Sequence, residues 1–128
     1  MRKYVASLAI LFVVAFVGTA QVMPTIVVDI PFQFTADTTL VPAGTYEIQP
    51  SDEGTHIQLH NVATHTRYIA SVITGLASIE SMQSSVVFDV EGQDHYLSEV
   101  HIAGIDGFAL RVASGKHTHV TIKAKKIE

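Results

Sequence analysis

The chain has 128 residues, no cysteine, and twelve acidic against eight basic side chains, which give a formal net charge of −4. This length is enough for one ordinary domain and too short for two. The lack of cysteine excludes disulfides, a thiolate nucleophile and a lipid anchor on a cysteine, and the acidic balance disfavours nucleic acid and anionic membranes as partners.

The N-terminus has the pattern of an export signal. Arg2 and Lys3 supply the positive start, Tyr4–Val17 is an uncharged apolar run of fourteen residues, and small residues lead up to Ala20. A membrane anchor is the alternative, but a spanning helix needs roughly 20 apolar residues and this run is shorter. We therefore predict a signal peptide that is cleaved after Ala20 and contacts the membrane only before cleavage, and a periplasmic or extracellular protein.

Removal of residues 1–20 takes away two basic residues, so the mature chain, residues 21–128, has six basic and twelve acidic side chains and a net charge of −6. We expect these 108 residues to form a single β domain. A domain of this size buries roughly two-thirds of the surface of its unfolded chain, which is enough for a stable core without cross-links.

Period-two alternation of apolar side chains dominates the first half of this domain and predicts β-strands. Apolar residues take every second position across Thr25–Phe34. Within this segment Pro31 indicates an edge strand or a bulge, because proline cannot donate to a ladder. Shorter alternating strands follow around Tyr46–Ile48 and Ile57–Leu59, and Arg67–Ile73 is apolar on both faces, which favours a central strand.

A corner lies between Val41 and Gly44. Pro42 presets the first dihedral angle of the turn, and Gly44 is free to adopt the positive φ that a following bulge requires. The next strand directs Tyr46 inward, where we expect its hydroxyl to need a hydrogen-bond partner.

Two strands joined by a hairpin begin the second half of the domain. Ser85–Glu91 and His95–Ile102 flank Gly92-Gln93-Asp94, a sequence typical of a tight hairpin turn. Alternation continues in Phe108–Val112 and His117–Lys123.

The remaining segment, Thr74–Ser84, is expected to be a loop or one helical turn, and no segment has convincing helical periodicity. About eight short strands separated by turn residues are typical of an antiparallel fold. The sequence therefore predicts an all-β domain, a single antiparallel β-sandwich or small barrel.

Two stretches of the chain resemble a known family. They are IPFQFTADTTLVPAGTYEI, residues 30–48, and VVFDVEGQDHYLSEV, residues 86–100. They are similar to small exported bacterial β-rich proteins of unassigned function, which share a signal peptide, an IPFxF strand, an LPAGxYxI corner and a YLSEV strand. The matching positions are Ile30, Pro31, Phe32, Phe34, Pro42, Ala43, Gly44, Tyr46, Ile48, Phe88, Tyr96, Leu97, Ser98 and Glu99. The resemblance implies export and a β fold, and it implies no activity.

Seven histidines are the most unusual feature of the composition. His117 and His119 lie two apart on a predicted strand, so they share a face about 7 Å apart along it, and two such imidazoles can bind one metal ion. Glu99 and His101 form a second same-face pair on another strand. If the two strands were neighbours, the four side chains could bind zinc or copper. The alternative is that all four lie on the solvated face of a sheet.

Catalytic chemistry has less support. Asp89 and Glu91 flank Val90 on one face, and paired carboxylates can hydrolyse glycosides, but carboxylates at a strand end beside a turn are more often solubilising. The chain has no nucleophile elbow and no phosphate-binding glycine loop. We therefore expect a non-enzymatic protein without catalytic residues or a cofactor.

Three functions stay open. The favoured one is an exported β-sandwich module with a binding or structural role toward an unknown protein or surface partner. The second is a β-barrel carrier of a small apolar ligand, and the third is a histidine-based metal-binding protein. The carrier would have a cavity lined by residues such as Phe32, Phe34, Tyr46, Phe88 and Phe108.

Overall fold

The computed structural model describes residues 24–77, 83–113 and 115–125. Within these ranges the chain forms eleven strands and no helix. The strands are β1 (Ile26–Ile30), β2 (Phe34–Ala36), β3 (Thr39–Val41), β4 (Gly44–Pro50), β5 (His56–Asn61), β6 (Arg67–Ser71), β7 (Thr74–Leu76), β8 (Ser85–Glu91), β9 (Asp94–His101), β10 (Gly107–Ala109) and β11 (Thr118–Lys123). The predicted signal peptide, residues 1–20, lies outside the described residues.

The strands form two strongly curled sheets, which together make a half-barrel or sandwich. The four-stranded sheet has the order β1-β4-β5-β6, with antiparallel pairs throughout. The seven-stranded sheet follows the path β11-β8-β9-β10-β7, with β2 beside β9 and β3 beside β2. The predicted all-β sandwich or small barrel is confirmed, with eleven short strands in place of about eight. No helix in the described part of the chain is long and apolar enough to cross a membrane.

The three additional strands are β2, β3 and β7, and β3 is the short strand that ends directly before the corner at Pro42. The alternating segment Thr25–Phe34 is divided, because the chain leaves the ladder of β1 before Pro31 and enters the other sheet as β2. In the segment expected to be a loop or a helical turn, Thr74–Leu76 instead forms β7 and pairs with β10. Residues 78–82 of that segment lie outside the described ranges.

The position of β6 differs from the prediction. Arg67–Ile73 was expected to contain a central strand, and this is wrong, because β6 lies at the end of the four-stranded sheet. Its inner face places Ala70 in the core, whereas Ile69 on the other face is 61% exposed. β6 therefore has apolar residues on both faces although only its inner face is buried, and Ile69 on the outer face is exposed.

The alternating residues of both sheets meet in one core. Tyr46, Ile48, Ile57 and Leu59 are fully buried on the inner face of the four-stranded sheet, as their period-two spacing predicts. Fully burying an aliphatic or aromatic side chain stabilises a fold by roughly 1.5–3 kcal/mol. The other buried apolar residues are Ile26, Val28, Ile30, Phe34, Ala36, Val41, Ala70, Val86, Phe88, Leu97, Val100, Ile102, Phe108, Leu110 and Ala124.

Aromatic rings fill the middle of this core. Phe88 makes edge-to-face contacts with Phe32 and Phe34 at centroid distances of 4.9 and 5.1 Å. Phe34 in turn contacts Tyr46 edge-to-face at 6.0 Å. These rings pack against one another, as expected of a sandwich core, rather than standing apart around a cavity.

The end of the chain joins the two sheets. The Lys125 backbone N–H donates to the Val27 carbonyl oxygen at 2.8 Å. This hydrogen bond links the segment after β11 to β1. The Lys125 ammonium lies 2.8 Å from Asp29 Oδ2, and the Thr45 hydroxyl donates to Asp29 Oδ1. The hydrogen bonds from Lys125 and then from Thr45 lower the pKa of Asp29.

The Pro-Ala-Gly corner anchors Tyr46 through a hydrogen bond. The buried Tyr46 hydroxyl donates to the Pro42 carbonyl oxygen at 2.6 Å, which supplies the predicted partner. The predicted positive φ at Gly44 is wrong, because Gly44 has ordinary strand geometry and pairs with Ile30 in the ladder. A larger residue would be crowded there, since an added Cβ would lie 3.0 Å from Asn61 Nδ2.

Candidate metal centre

The outward face of the seven-stranded sheet brings together polar residues from three strands. In the register, Asp89 of β8 lies between His119 of β11 and Tyr96 of β9. The β8–β9 hairpin turns at Gly92, which has the positive φ of 65° that the turn requires. Because strand neighbours point to opposite faces, Phe88 enters the core while Asp89 points outward.

Asp89 is nevertheless buried, with 1% of its surface exposed. Its Oδ2 accepts a hydrogen bond from the Arg111 guanidinium at 3.0 Å. Its Oδ1 is buried and accepts no hydrogen bond within the described ranges. A buried carboxylate oxygen without a donor is costly, so a cationic partner is needed on this side.

His119 of β11 and His117, which directly precedes this strand, lie near that oxygen. His119 Nδ1 lies 2.9 Å from Asp89 Oδ1, but without the alignment of a hydrogen bond. The His117 and His119 rings contact each other edge-to-face with centroids 4.8 Å apart. One ligand atom from each of Asp89, His117 and His119 lies within 4.8 Å of the other two.

The tautomer of His117 suits metal binding. His117 Nδ1 lies 2.9 Å from the Gly115 carbonyl oxygen. Because a carbonyl oxygen only accepts, Nδ1 carries the proton and Nε2 keeps its lone pair. A backbone carbonyl bonded to the second ring nitrogen is the usual way in which proteins orient a metal-binding histidine.

The types of side chain in this cluster fit a transition metal ion. Zinc binds imidazole nitrogen at about 2.0–2.1 Å and carboxylate oxygen at about 2.0–2.2 Å. In the tetrahedral geometry of zinc, two such ligands are about 3.4 Å apart. His119 Nδ1 and Asp89 Oδ1 are separated by 2.9 Å, and the three ligand atoms lie within 4.8 Å of one another, so the histidine side chains would shift slightly when a metal ion binds. Two imidazoles and one carboxylate suit zinc, copper or iron better than calcium or magnesium. The residues present therefore fit a divalent transition metal.

Arg111, which lies between β10 and β11, supports this cluster. Its guanidinium donates to Asp89 Oδ2 and, at 2.8 Å, to Glu91 Oε2, and it stacks 4.1 Å from the centroid of the Tyr96 ring. Burial by itself lowers the pKa of Arg111, and the hydrogen bonds to Glu91 and Asp89 outweigh it and raise the pKa. Arg111 therefore holds Asp89 so that Oδ1 faces the histidines.

The second predicted pair lies elsewhere. His101 Nε2 is 2.7 Å from Glu99 Oε1, so these two side chains pair with each other. β8 lies between β9 and β11, so the condition for a site made of all four residues, that their strands be neighbours, is not met. His101 instead packs over Gly107, where an added Cβ would lie 2.8 Å from His101 Nδ1.

The other histidines have separate surroundings. On the outward face of the four-stranded sheet, His60 Nδ1 lies 3.0 Å from Glu47 Oε1 and the His60 ring is 5.6 Å from that of His65. His56 contacts the Thr55 hydroxyl. His95 stacks on Phe32 with centroids 3.9 Å apart.

Sequence reasoning missed Asp89 as a possible metal ligand and Arg111 as the partner that orients it. Asp89 was interpreted as a solubilising residue at a strand end, and its burial shows that this is wrong. Arg111 lies within the alternating segment Phe108–Val112, and no sequence signal distinguishes it there. The hairpin turn at Gly92 predicts which residues of β8 and β9 pair, but no local signal shows that β11 lies on the other side of β8.

No protein-family model, no curated protein and no solved structure matches this chain. The resemblance to small exported β-rich proteins therefore stays a prediction.

Proposed function

We propose that this protein is an exported, non-enzymatic β-sandwich module that binds a divalent transition metal ion through Asp89, His117 and His119. One observation carries the proposal. Three potential ligand atoms lie within 4.8 Å of one another, and the carboxylate oxygen among them is buried and accepts no hydrogen bond from the described residues.

The charges of the cluster support a bound cation. Arg111 contacts only one oxygen of Asp89, and it also neutralises Glu91. Asp89 Oδ1 therefore needs a second positive partner, which is either a protonated His119 or a metal ion shared with both histidines. A metal ion satisfies Oδ1 and both imidazoles at once.

Zinc and copper are the proposed metals. Imidazole suits both, and neither needs a cysteine. Three protein ligands with His119 54% exposed leave at least one coordination position open to solvent. Such an arrangement is typical of exchangeable or ligand-binding metal sites, whereas structural zinc sites are closed by four protein ligands.

On the basis of the sequence, we propose that the protein is exported. The charged start, the apolar run and the small residues before Ala20 have the order of a cleaved signal peptide. The mature chain would then work in the periplasm or outside the cell. Its net charge of −6 disfavours nucleic acid as a partner.

A protein or surface partner is the second candidate function. It is favoured by exposed apolar side chains on two terminal strands, Leu40 of β3 at 59% and Ile69 of β6 at 61%. A terminal strand has one side of its backbone without a neighbouring strand, so a partner can add a strand there. Leu40→Lys and Ile69→Lys would then weaken partner capture, and the metal-site variants would not.

Calorimetric titration of the metal-free protein with zinc and with copper tests the proposal. We expect one site per chain, weakened at least about tenfold in His119→Ala and in Asp89→Asn, since each removes one ligand. His56→Ala is the matched control, because His56 is an exposed histidine on the opposite sheet. Equal binding by His119→Ala and the parent would contradict the proposal, provided that both give the circular dichroism of a folded chain.

A further inference from the structure

We propose that the free edge of β6 pairs with β6 of a second copy of this chain, so that two four-stranded sheets join into one sheet across a two-fold axis. This inference goes beyond the metal site and does not depend on it. It names the partner for the second candidate function, in which a terminal strand accepts a strand from another molecule.

The backbone of β6 has one side without a neighbouring strand. In an antiparallel pair, every second residue of a strand bonds to the same neighbour. The Val72 N–H donates to the Thr55 carbonyl oxygen in continuation of the β5–β6 register, so the even-numbered residues of β6 bond to β5. The N–H and C=O groups of Arg67, Ile69 and Ser71 therefore point to the open side, where no strand of the described part of the chain pairs with them.

The other terminal strands are less suited to strand addition. β3 and β7 have only three residues each, and β1 accepts a hydrogen bond at its edge from Lys125, in the segment after β11. β6 has five residues. Apart from Arg67 it has no charged side chain, and it has no proline. Charges and proline are the usual means by which proteins protect an edge strand from pairing, so β6 is largely unprotected.

A two-fold axis at Ile69 makes this edge complementary to itself. Ile69 pairs with Ile69 of the second copy, and Arg67 pairs with Ser71 on either side of the axis, so all the open N–H and C=O groups find partners. The pairing brings together two isoleucine side chains that are each 61% exposed in the single chain. The two arginines are four residues apart, about 13 Å along the strands, so like charges do not face each other.

The charge distribution favours contact between two copies along this edge. The mature chain has a net charge of −6, so two copies repel each other where their carboxylates meet. Residues Thr55–Gly75, which include both β5 and β6, contain no acidic side chain. Two copies that meet along β6 therefore place no carboxylates of these strands against each other.

Sedimentation velocity of the full mature chain measures the association. We expect a dimer that dissociates on dilution within about 1–100 µM, because a contact along one strand edge belongs to the small, transient interfaces. Ile69→Lys places two ammonium groups opposite each other and should weaken the dimer at least about tenfold. Leu40→Lys is the matched control, since it makes the same kind of change at an exposed apolar residue of β3, and it should associate like the parent.

Single cysteines test the register, since the chain has no cysteine of its own. Directly paired residues have Cα atoms about 5.5 Å apart, which is within the reach of a disulfide. Oxidation should cross-link Ile69→Cys to itself. It should also cross-link a mixture of Arg67→Cys and Ser71→Cys, but neither of these two variants alone. Leu40→Cys is the control for cross-links formed by random collision.

The outcomes separate this inference from the other proposals. A mature chain that stays monomeric across this range, or a dimer that Leu40→Lys breaks and Ile69→Lys does not, overturns the pairing through β6 and leaves the metal site standing. A dimer whose Arg67→Cys and Ser71→Cys forms do not cross-link when mixed overturns the two-fold register. A monomeric chain that captures another protein, and loses this capture in Ile69→Lys, excludes the second copy but keeps the second candidate function.

Discussion

Asp89 and His119 are direct partners in the register of β8 and β11, and His119 Nδ1 lies 2.9 Å from Asp89 Oδ1. On the other side of the same carboxylate, Arg111 donates to Oδ2 at 3.0 Å. The carboxylate is thus fixed from one side and presented to two histidines on the other. This arrangement is the basis of the proposed metal site. Arg111 both orients Asp89 and stabilises the fold.

Replacement of Arg111 by methionine is expected to destabilise the fold. The change keeps an aliphatic side chain near Tyr96 but leaves the charge of Asp89, which is 1% exposed, without its cationic partner. Loss of one partner of a buried ion pair costs about 2–3 kcal/mol when the pair is partly reached by water, as Arg111 is here. Urea unfolding measures the loss.

The double variant Arg111→Met with Asp89→Asn is the control for this prediction. Asparagine has no charge to compensate, so the double variant should lose less stability than the two single changes added together. An Arg111→Met protein with the urea midpoint and slope of the parent would show that the ion pair does not stabilise the fold.

Gly44→Ala is expected to lower the free energy of unfolding by about 1–2 kcal/mol, through overpacking. The new Cβ would lie 3.0 Å from Asn61 Nδ2. Asn61 cannot easily move, since its Oδ1 accepts hydrogen bonds from the N–H groups of Ala63 and Thr64. Thermal or urea unfolding gives the measurement.

Gly75→Ala is the matched comparison, because it also replaces a strand glycine. Its Cβ would meet its nearest atom, the Gly107 carbonyl oxygen, at the ordinary distance of 3.9 Å. We expect a change within about 0.5 kcal/mol there. If both alanine variants behaved alike, the lack of space at Gly44 would not be the reason for glycine.

Tyr46→Phe should cost about 1 kcal/mol near neutral pH, because the hydrogen bond from the Tyr46 hydroxyl to the Pro42 carbonyl is lost. Burial raises the pKa of Tyr46, and the contact with Asn61 offsets this only in part. Because the pKa is raised in the folded state, Tyr46 makes its full contribution to stability below the pKa of an unfolded tyrosine, about 10. That contribution is lost as the pH rises above this value.

The parent and Tyr46→Phe should therefore converge in stability above about pH 10. The other tyrosines are present in both proteins, so the difference between the two isolates Tyr46. Urea unfolding across neutral and alkaline pH measures it. A difference that stays constant through the alkaline range would contradict the raised pKa.

The core could be predicted from the sequence because period-two alternation is a local signal. It placed Val28, Tyr46 and Leu59 inside, and all three are fully buried. It also predicted the hairpin at Gly92, whose turn chemistry is local as well. The same kind of reasoning failed at Gly44, because its crowding comes from Asn61, which is distant in sequence.

The candidate site could be predicted only in part. The spacing of His117 and His119 places both on one face, and this needs no knowledge of neighbouring strands. Their third partner depends on strand order, which alternation does not specify. The sequence offered Glu99 with His101, whereas the structure places β8 and its buried Asp89 next to β11.

The most direct test of the metal site is a crystal structure of the mature protein grown with one equivalent of zinc, with diffraction recorded on both sides of the zinc absorption edge. The account predicts one anomalous peak within about 2.2 Å of Asp89 Oδ1, His117 Nε2 and a His119 ring nitrogen. An anomalous peak bound elsewhere, or a folded protein with no peak at this cluster, would contradict it.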